Sequence, residues 1–213
     1  MTCAGMNRMG QVLGALTIMA GVAVVLPAQP VAGGPATEAV KSSINEVIQI
    51  LDDKELKKPG RAEERRRKLE QVIGNRFSYE EMAKRSLGAP WKGLNEAERK
   101  EFVELFQRLL SKSYAGKIEG YSGEQVQYLN ERHADEFAEV RTKIVSGKAE
   151  IPLDYRLLQI AGDWRVYDVV VDGVSLVNNY RGQFTKIIRE SSYKGLVEQL
   201  RKKSESVTSP ASQ

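Results

Sequence analysis

Between residues 37 and 121, apolar residues recur every three to four positions, which is the period of an amphipathic helix. The pattern predicts helices over about residues 37–51, 62–73, 78–87 and 95–121. Thr37 is the expected N-cap of the first helix. The pairs Ser78 with Glu81 and Asn95 with Glu98 have the spacing of a capping box, and they indicate where the third and fourth helices begin.

After residue 124 the period changes to two. Apolar residues from Ala138 to Ile144, and again from Ile151 to Leu157, alternate with polar or charged ones. Short turns containing glycine separate these runs, so we expect an antiparallel sheet of about four strands over residues 124–172. His133 falls in a polar stretch that we interpret as a loop. One face of the sheet is apolar and must be covered by helices.

A helical period returns after the sheet and predicts C-terminal helices within residues 175–203, followed by a polar tail over 204–213. The helical part (37–121), the sheet (124–172) and these C-terminal helices are expected to form a single domain over residues 35–205. The fold class is therefore α+β, with one antiparallel sheet covered by an N-terminal helical part and by the C-terminal helices.

The N-terminal segment has the pattern of a secretory signal peptide. Arg8 precedes a charge-free apolar run from Val12 to Leu26, and small residues follow that run. The run is shorter than the roughly 20 residues that a membrane span needs. We expect a signal peptide over residues 1–33, cleaved within 28–34, and hence an exported protein; a retained membrane anchor is the alternative.

Composition narrows the possible functions. Hydrophobic residues make up 41% and charged residues 28% of the chain, which is typical of a folded protein. The net charge of +4 is small and evenly interleaved, so nucleic acid is not an expected partner. His133 and Cys3 are the single histidine and the single cysteine, which argues against a zinc site or a Cys–His nucleophile pair. No glycine-rich phosphate loop is present, and no cofactor or metal is expected.

Two carboxylates are the strongest candidates for chemistry. Asp168 and Asp172 lie four residues apart on a predicted strand and therefore share a face. They could form an acid–base pair. The structural alternative is better supported, because Asp172-Gly173 is turn chemistry and Asp168 could bond to backbone or to a nearby arginine. His133 with Asp135 is a weaker catalytic candidate.

Several blocks of residues are distinctive in their order and spacing. They are FSYEEMA (77–83), LGAPW (87–91), GDWRVYDV (162–169), DGVSLV (172–177), NYR (179–181), QF (183–184) and GLV (195–197). Together they resemble the MlaC family, also called the toluene-tolerance auxiliary proteins, and the resemblance covers nearly all of the chain after the predicted signal peptide.

The resemblance implies a curved sheet of NTF2-like or cystatin-like form, with acyl chains lying between the sheet and the helices. It implies a periplasmic phospholipid carrier and no enzymatic activity. Such a carrier shuttles lipid between an outer-membrane lipoprotein complex and an inner-membrane ABC transporter with its MCE-domain ring, and so maintains outer-membrane lipid asymmetry. Phospholipid and these two complexes are the expected partners, and the protein is expected to be a monomer.

Apolar residues on the helix stripes and on alternating strand positions are the candidates for contact with lipid. They are Phe102, Phe106, Leu109, Tyr155, Leu157, Val166, Val169, Tyr180 and Phe184. The same residues would form an ordinary core if helices and sheet pack tightly. Two other functions stay open: an NTF2-like periplasmic enzyme of isomerase or dehydratase type, which could use only Asp168, Tyr167 or His133, and a ligand-free interaction module.

Overall fold

The computed structural model describes residues 33–147 and 149–205. The predicted signal peptide lies almost entirely outside these residues, and so does most of the predicted polar tail. Ser204 still belongs to the last helix. Within the described residues, no helix combines the length and the apolar character that crossing a bilayer requires.

Four helices form the N-terminal part, as the hydrophobic period predicted. They are α1 (Pro35–Asp52), α2 (Ala62–Arg76), α3 (Tyr79–Leu87) and α4 (Glu96–Glu119). Ser78 accepts a hydrogen bond from the backbone N–H of Glu81, and both halves of the Asn95–Glu98 capping box are formed. The two predicted helix starts are therefore confirmed.

Two details of the helix prediction are wrong. Thr37 is not the N-cap of α1: Gly34 occupies that position, because Pro35 already has the fixed φ of a first helical turn. Thr37 lies inside the helix and is buried. Helix α2 continues past Gly74 to Arg76, because an isolated glycine weakens a helix without ending it when tertiary contacts support the last turn.

The sheet is antiparallel with its strands in sequence order. They are β1 (Gln125–Ala134), β2 (Phe137–Ser146), β3 (Ala149–Ile160), β4 (Asp163–Val171) and β5 (Val174–Ser175). The α+β class is confirmed, and the strand count is five rather than four. The extra strand has two residues, too few to show a period, and it follows a turn in which Asp172 and Gly173 both have positive φ.

The interpretation of His133 as a loop residue is also wrong. His133 lies in β1 and pairs with Ala138, and the turn comes later, at Asp135 with φ 52°. Strand β1 is at the edge of the sheet, where polar side chains can remain in contact with water without interrupting the ladder. Hydrophobic alternation is therefore a weak signal for this strand.

A bulge in β4 changes which residues share a face. Arg156 pairs with Asp168 and Leu157 pairs with Val166, so Tyr167 is an extra residue. Val166 and Val169 are three residues apart, yet both pack on the apolar inner face of the sheet.

The buried apolar side chains form two clusters. The helix cluster comprises Met82, Ala83, Leu87, Trp91, Phe102, Leu105, Phe106, Leu110, Val177, Tyr180, Phe184, Leu196, Val197 and Leu200. The sheet cluster comprises Ala36, Val40, Ala138, Val140, Leu157, Trp164, Val166 and Val169. Phe77 packs against both clusters. It lies beside β4, where the N–H of Ser78 donates to the carbonyl of Val166 at 2.8 Å.

Helix α5 (Leu176–Glu205) is kinked at Ser192, which has φ 71° and ψ 172°. Only glycine adopts this backbone region readily. The kink divides α5 into two segments, residues 176–191 and 193–205, which correspond to the two apolar stripes of the predicted C-terminal helices.

Candidate functional site

The candidate residues fall into two groups rather than one. Phe102, Phe106, Tyr180 and Phe184 belong to the helix cluster, and Leu109 packs against it. Leu157, Val166 and Val169 belong to the sheet cluster, and Tyr155 packs against that one. The structure thus brings each group together within its own layer, and Phe77 joins the two layers.

Aromatic side chains of α4 and α5 meet at the centre of the helix cluster. The rings of Phe106 and Tyr180 lie 5.2 Å apart and nearly perpendicular, and those of Phe106 and Phe184 are 5.6 Å apart. Phe102 approaches Phe184 at 5.7 Å in the same edge-to-face manner. These contacts are favourable aromatic geometries, and they hold the first segment of α5 against α4.

A cavity of about 190 Å³ lies beside these rings, between α4 and both segments of α5. Its apolar wall is formed by Leu109, Tyr180, Phe184, Ile187, Leu196 and Leu200. Its polar side chains are Ser113, Gln183, Gln199 and Lys203. Three candidate residues line it. Ile187, Leu196 and Leu200 were not among the predicted site residues, although they lie in the C-terminal segment whose helical period was recognised.

The inner face of the sheet is apolar and is partly covered by α1. Leu157 and Val166 have no exposed surface, whereas Tyr155 is half-buried. Burial raises the pKa of Tyr155, and the nearby Tyr128 adds to the effect. Burial and the negative charge of Glu38 raise the pKa of Tyr128 to about 12. Both phenols are therefore neutral at physiological pH, and they add no charge to this face.

The contacts of Asp168 are those of a residue with a structural role. Its carboxylate accepts hydrogen bonds from Ser175 Oγ at 2.6 Å and from the backbone N–H of Val177 at 3.0 Å, and Arg156 Nη1 lies at 3.1 Å. These contacts place the charge at the first turn of α5, where a carboxylate is stabilising. Asp172 lies in the β4–β5 turn. The structural interpretation of this carboxylate pair is confirmed.

His133 contacts a buried glutamate rather than Asp135. Its Nε2 meets the carboxylate of Glu131, which also accepts the backbone N–H of Thr37 at 2.7 Å. Burial opposes ionisation of Glu131, but hydrogen bonds from Thr37 and the contact with His133 outweigh it and lower the pKa of Glu131. The carboxylate therefore joins the first turn of α1 to β1.

Comparison with known proteins identifies the family. The model of the family described as MlaC protein matches residues 41–202, well over half of the chain. The chain belongs to the MlaC family. The resemblance inferred from the sequence is thereby confirmed, and the α+β fold agrees with it.

Two similar proteins extend the comparison. The intermembrane phospholipid transport system binding protein MlaC of Haemophilus influenzae is 25% identical over 117 residues, which are 52% of this chain and 55% of that protein. The chain thus aligns with about half the length of this curated MlaC relative. A phospholipid-binding protein from Ralstonia solanacearum, solved with a phospholipid, has a TM-score of 0.74 and 24% identity. The match covers 83% of this chain and 100% of that one, and it shows a common fold.

Proposed function

We propose that this protein is a periplasmic phospholipid carrier without enzymatic activity. Membership of the MlaC family over residues 41–202 carries the proposal, supported by the names of the two similar proteins. The lipid would travel between an outer-membrane lipoprotein complex and an inner-membrane ABC transporter with its MCE-domain ring, and the carrier would be a monomer. The engagement of Asp168 and His133 in structural contacts supports a carrier more than an NTF2-like isomerase or dehydratase.

A carrier must solve a solvation problem. Two acyl chains contain about 30 methylene groups, and exposing each to water costs ~0.8 kcal/mol, so free diffusion across an aqueous gap costs roughly 24 kcal/mol. The pocket must offset most of this cost without holding lipid more tightly than the membrane does. A wall of apolar side chains and neutral phenols meets both needs, because its attraction is non-directional.

The acyl chains would lie between the sheet and the helices. The wall would consist of the candidate residues Phe102, Phe106, Leu109, Tyr155, Leu157, Val166, Val169, Tyr180 and Phe184. The two clusters meet at Phe77, and lipid entry requires the layers to separate there. Tyr155 is half-buried, whereas the other three residues of the sheet group are buried.

Organic extraction of the purified protein followed by mass spectrometry tests the function directly. Phospholipid in the extract is the expected result. A small apolar metabolite would favour the NTF2-like enzyme, and an empty extract from protein exposed to phospholipid vesicles would favour an interaction module. N-terminal sequencing of periplasmic material should find a start between residues 29 and 35; material that starts at Met1 would contradict the signal peptide.

The pocket location is tested by placing a charge at a half-buried wall position. Tyr155→Asp should retain the fold and lose bound phospholipid, because a carboxylate in the gap must stay hydrated. Leu129→Asp is the matched control, because Leu129 lies on β1 and is 53% exposed. This variant should keep the parental lipid content. Parental lipid content in a folded Tyr155→Asp protein would contradict the pocket between sheet and helices.

A further inference from the structure

We propose that the cavity between α4 and α5 binds the distal part of a single hydrocarbon chain of a membrane lipid. We further propose that residues 193–205 form a flap that turns about Ser192 to admit this chain. The inference rests on the proposed lipid carriage, but it concerns a site that lies within the helical layer and is not formed by the sheet.

The cavity has the size and the chemistry for part of one chain. An apolar cavity of about 150 Å³ accommodates benzene, so 190 Å³ has room for about seven carbon atoms. Six of its ten lining side chains are leucine, isoleucine or aromatic, and hydrocarbon is the ligand that these side chains solvate best. Its polar groups, including Gln183 and Gln199, belong to exposed residues and therefore mark the rim that faces water.

Both sides of the kink contribute to the cavity wall. Phe184 and Ile187 precede Ser192, whereas Leu196 and Leu200 follow it, and Leu109 of α4 lies opposite. A rotation about Ser192 would therefore move one part of the wall relative to the other. No other described position inside α5 has non-helical backbone angles, so a change of angle is most easily accommodated at this residue.

The residues around the kink suit a hinge. Ser192 is exposed, so its own side chain makes no core contact that a rotation would break. Gly195 lies so close to Ser191 that an added Cβ would approach the serine Cβ at 2.6 Å. A side chain at position 195 would force the two segments apart, and the glycine therefore permits the bend that the structure has.

Polar contacts join the flap to α4. Arg201 Nε donates to the Glu101 carboxylate at 2.8 Å, and Tyr193 Oη lies 3.4 Å from the backbone carbonyl of Glu98. Lys112 Nζ donates to the backbone carbonyls of Lys203 and Ser204. The ion pair and the lysine contacts lie at the surface, where such interactions are weak. The apolar contacts of Leu196 and Leu200 would be replaced by equivalent contacts with the incoming chain.

The first experiment locates the chain end. Protein is loaded from vesicles of a phosphatidylglycerol whose acyl chain carries a diazirine near its methyl end, then irradiated and mapped by peptide mass spectrometry. Adducts on α4 and on both segments of α5 are the expected result. Lipid uptake without adducts on residues 193–205 would overturn this inference while supporting the proposed function, whose wall includes residues of α4 and of the first segment of α5. Protein that takes up no lipid from these vesicles would contradict both.

The second experiment tests the flap. In a background carrying Cys3→Ser, the pair Glu101→Cys and Arg201→Cys is joined by a cleavable bismaleimide, which ties the flap to α4 where the native ion pair lies. Delipidated protein should then load phosphatidylglycerol about tenfold more slowly, and cleavage of the linker should restore the parental rate. The control pair, Ser42→Cys and Glu46→Cys on α1, carries the same linker away from the cavity and should load at the parental rate.

A volume change at Leu109 separates a ligand site from a packing void. Leu109→Trp, at a half-buried wall position, should fill the cavity, preserve thermal stability and reduce diazirine adducts on α5 about fivefold. Leu109→Ala, which enlarges the cavity, should keep these adducts. Parental adducts in folded Leu109→Trp, or parental loading of the tethered flap, would overturn the inference.

Discussion

Asp168 illustrates how one buried side chain can organise three elements. It is 2% exposed, and its carboxylate joins Arg156 of β3 to Ser175 and to the first turn of α5. The hydroxyl of Ser175 in turn accepts the backbone N–H of Asn178. The start of α5 is therefore determined by β4, through a charge placed at the positive end of the helix dipole.

Removing the charge of Asp168 should destabilise the fold. Asp168→Asn leaves the Arg156 guanidinium without its buried partner and weakens the acceptor for Ser175, so we expect a loss of about 3 kcal/mol in the free energy of unfolding. Asp172→Asn is the matched control: asparagine tolerates the positive φ of that turn, and the change should stay within about 0.5 kcal/mol. Urea denaturation measures both, and equal effects would contradict the role of Asp168.

Glu131 makes a pH-dependent contribution to stability. Its side chain is 5% exposed, and its lowered pKa means that the folded state favours the carboxylate. This stabilisation is fully present above the ordinary value of 4.5 and is lost as the pH falls through the lowered pKa. Glu131→Gln should therefore lower the free energy of unfolding by about 2 kcal/mol at pH 7 and change it little in strong acid. Glu136→Gln, an exposed turn residue, should show no such pH dependence.

At the scale of elements, the kink of α5 is a local strain within an otherwise regular helix. Serine at φ 71° and ψ 172° occupies a region that costs about 1–3 kcal/mol for a residue with a Cβ atom. The structure tolerates this cost because both segments bury apolar side chains against α4 and α3. A straight α5 would carry Leu196 and Leu200 away from the helix cluster.

Relief of this strain is measurable. Ser192→Gly should raise the free energy of unfolding by about 1 kcal/mol, because glycine has no Cβ to clash at positive φ and the gain exceeds its entropy cost. Ser191→Gly, one residue earlier and in helical conformation, should lower it by about 0.5 kcal/mol. Thermal melting of the two variants gives the comparison. Destabilisation of both would show that position 192 is not strained.

At the scale of the whole molecule, two apolar clusters are connected through Phe77. Trp91 belongs to the helix cluster and Trp164 to the sheet cluster, so each cluster contains one of the two tryptophans of the chain. If lipid enters between the layers as proposed, each layer can keep its own core while the contacts of Phe77 change.

Truncation of the Phe77 side chain should make the two clusters unfold less cooperatively with each other. Phe77→Ala should lower the free energy of unfolding by about 2 kcal/mol. It should also shift the unfolding transition reported by Trp91 fluorescence relative to the one reported by Trp164 fluorescence. Phe137→Ala is the matched control, since Phe137 is also half-buried but lies on the outer face of the sheet beside Tyr167. This variant should lower the free energy of unfolding by about 1 kcal/mol. Single-tryptophan variants measured by fluorescence report each cluster, and coincident transitions in Phe77→Ala would contradict the separation.

Most of the elements, the fold class and the family could be predicted from the amino-acid sequence. Helix periods, the capping residues Ser78 and Asn95, and the strand alternation are local properties, so they can be recognised without any tertiary contact. The same alternation correctly assigned Tyr155 and Leu157 to the apolar face of the sheet. Where the local signal is weak, as on the polar edge strand that contains His133, the prediction was wrong.

Features that depend on contacts between distant residues could not be predicted from local sequence patterns. The carboxylate of Glu131 meets Thr37, 94 residues away, and this contact makes it a link between α1 and the sheet. The cavity exists only because α4 meets both segments of α5, and the positive φ of Ser192 persists because packing on either side holds it. Periodicity selects which side chains point inward, but the partners that they meet, and the voids left between them, follow from the mutual arrangement of the elements.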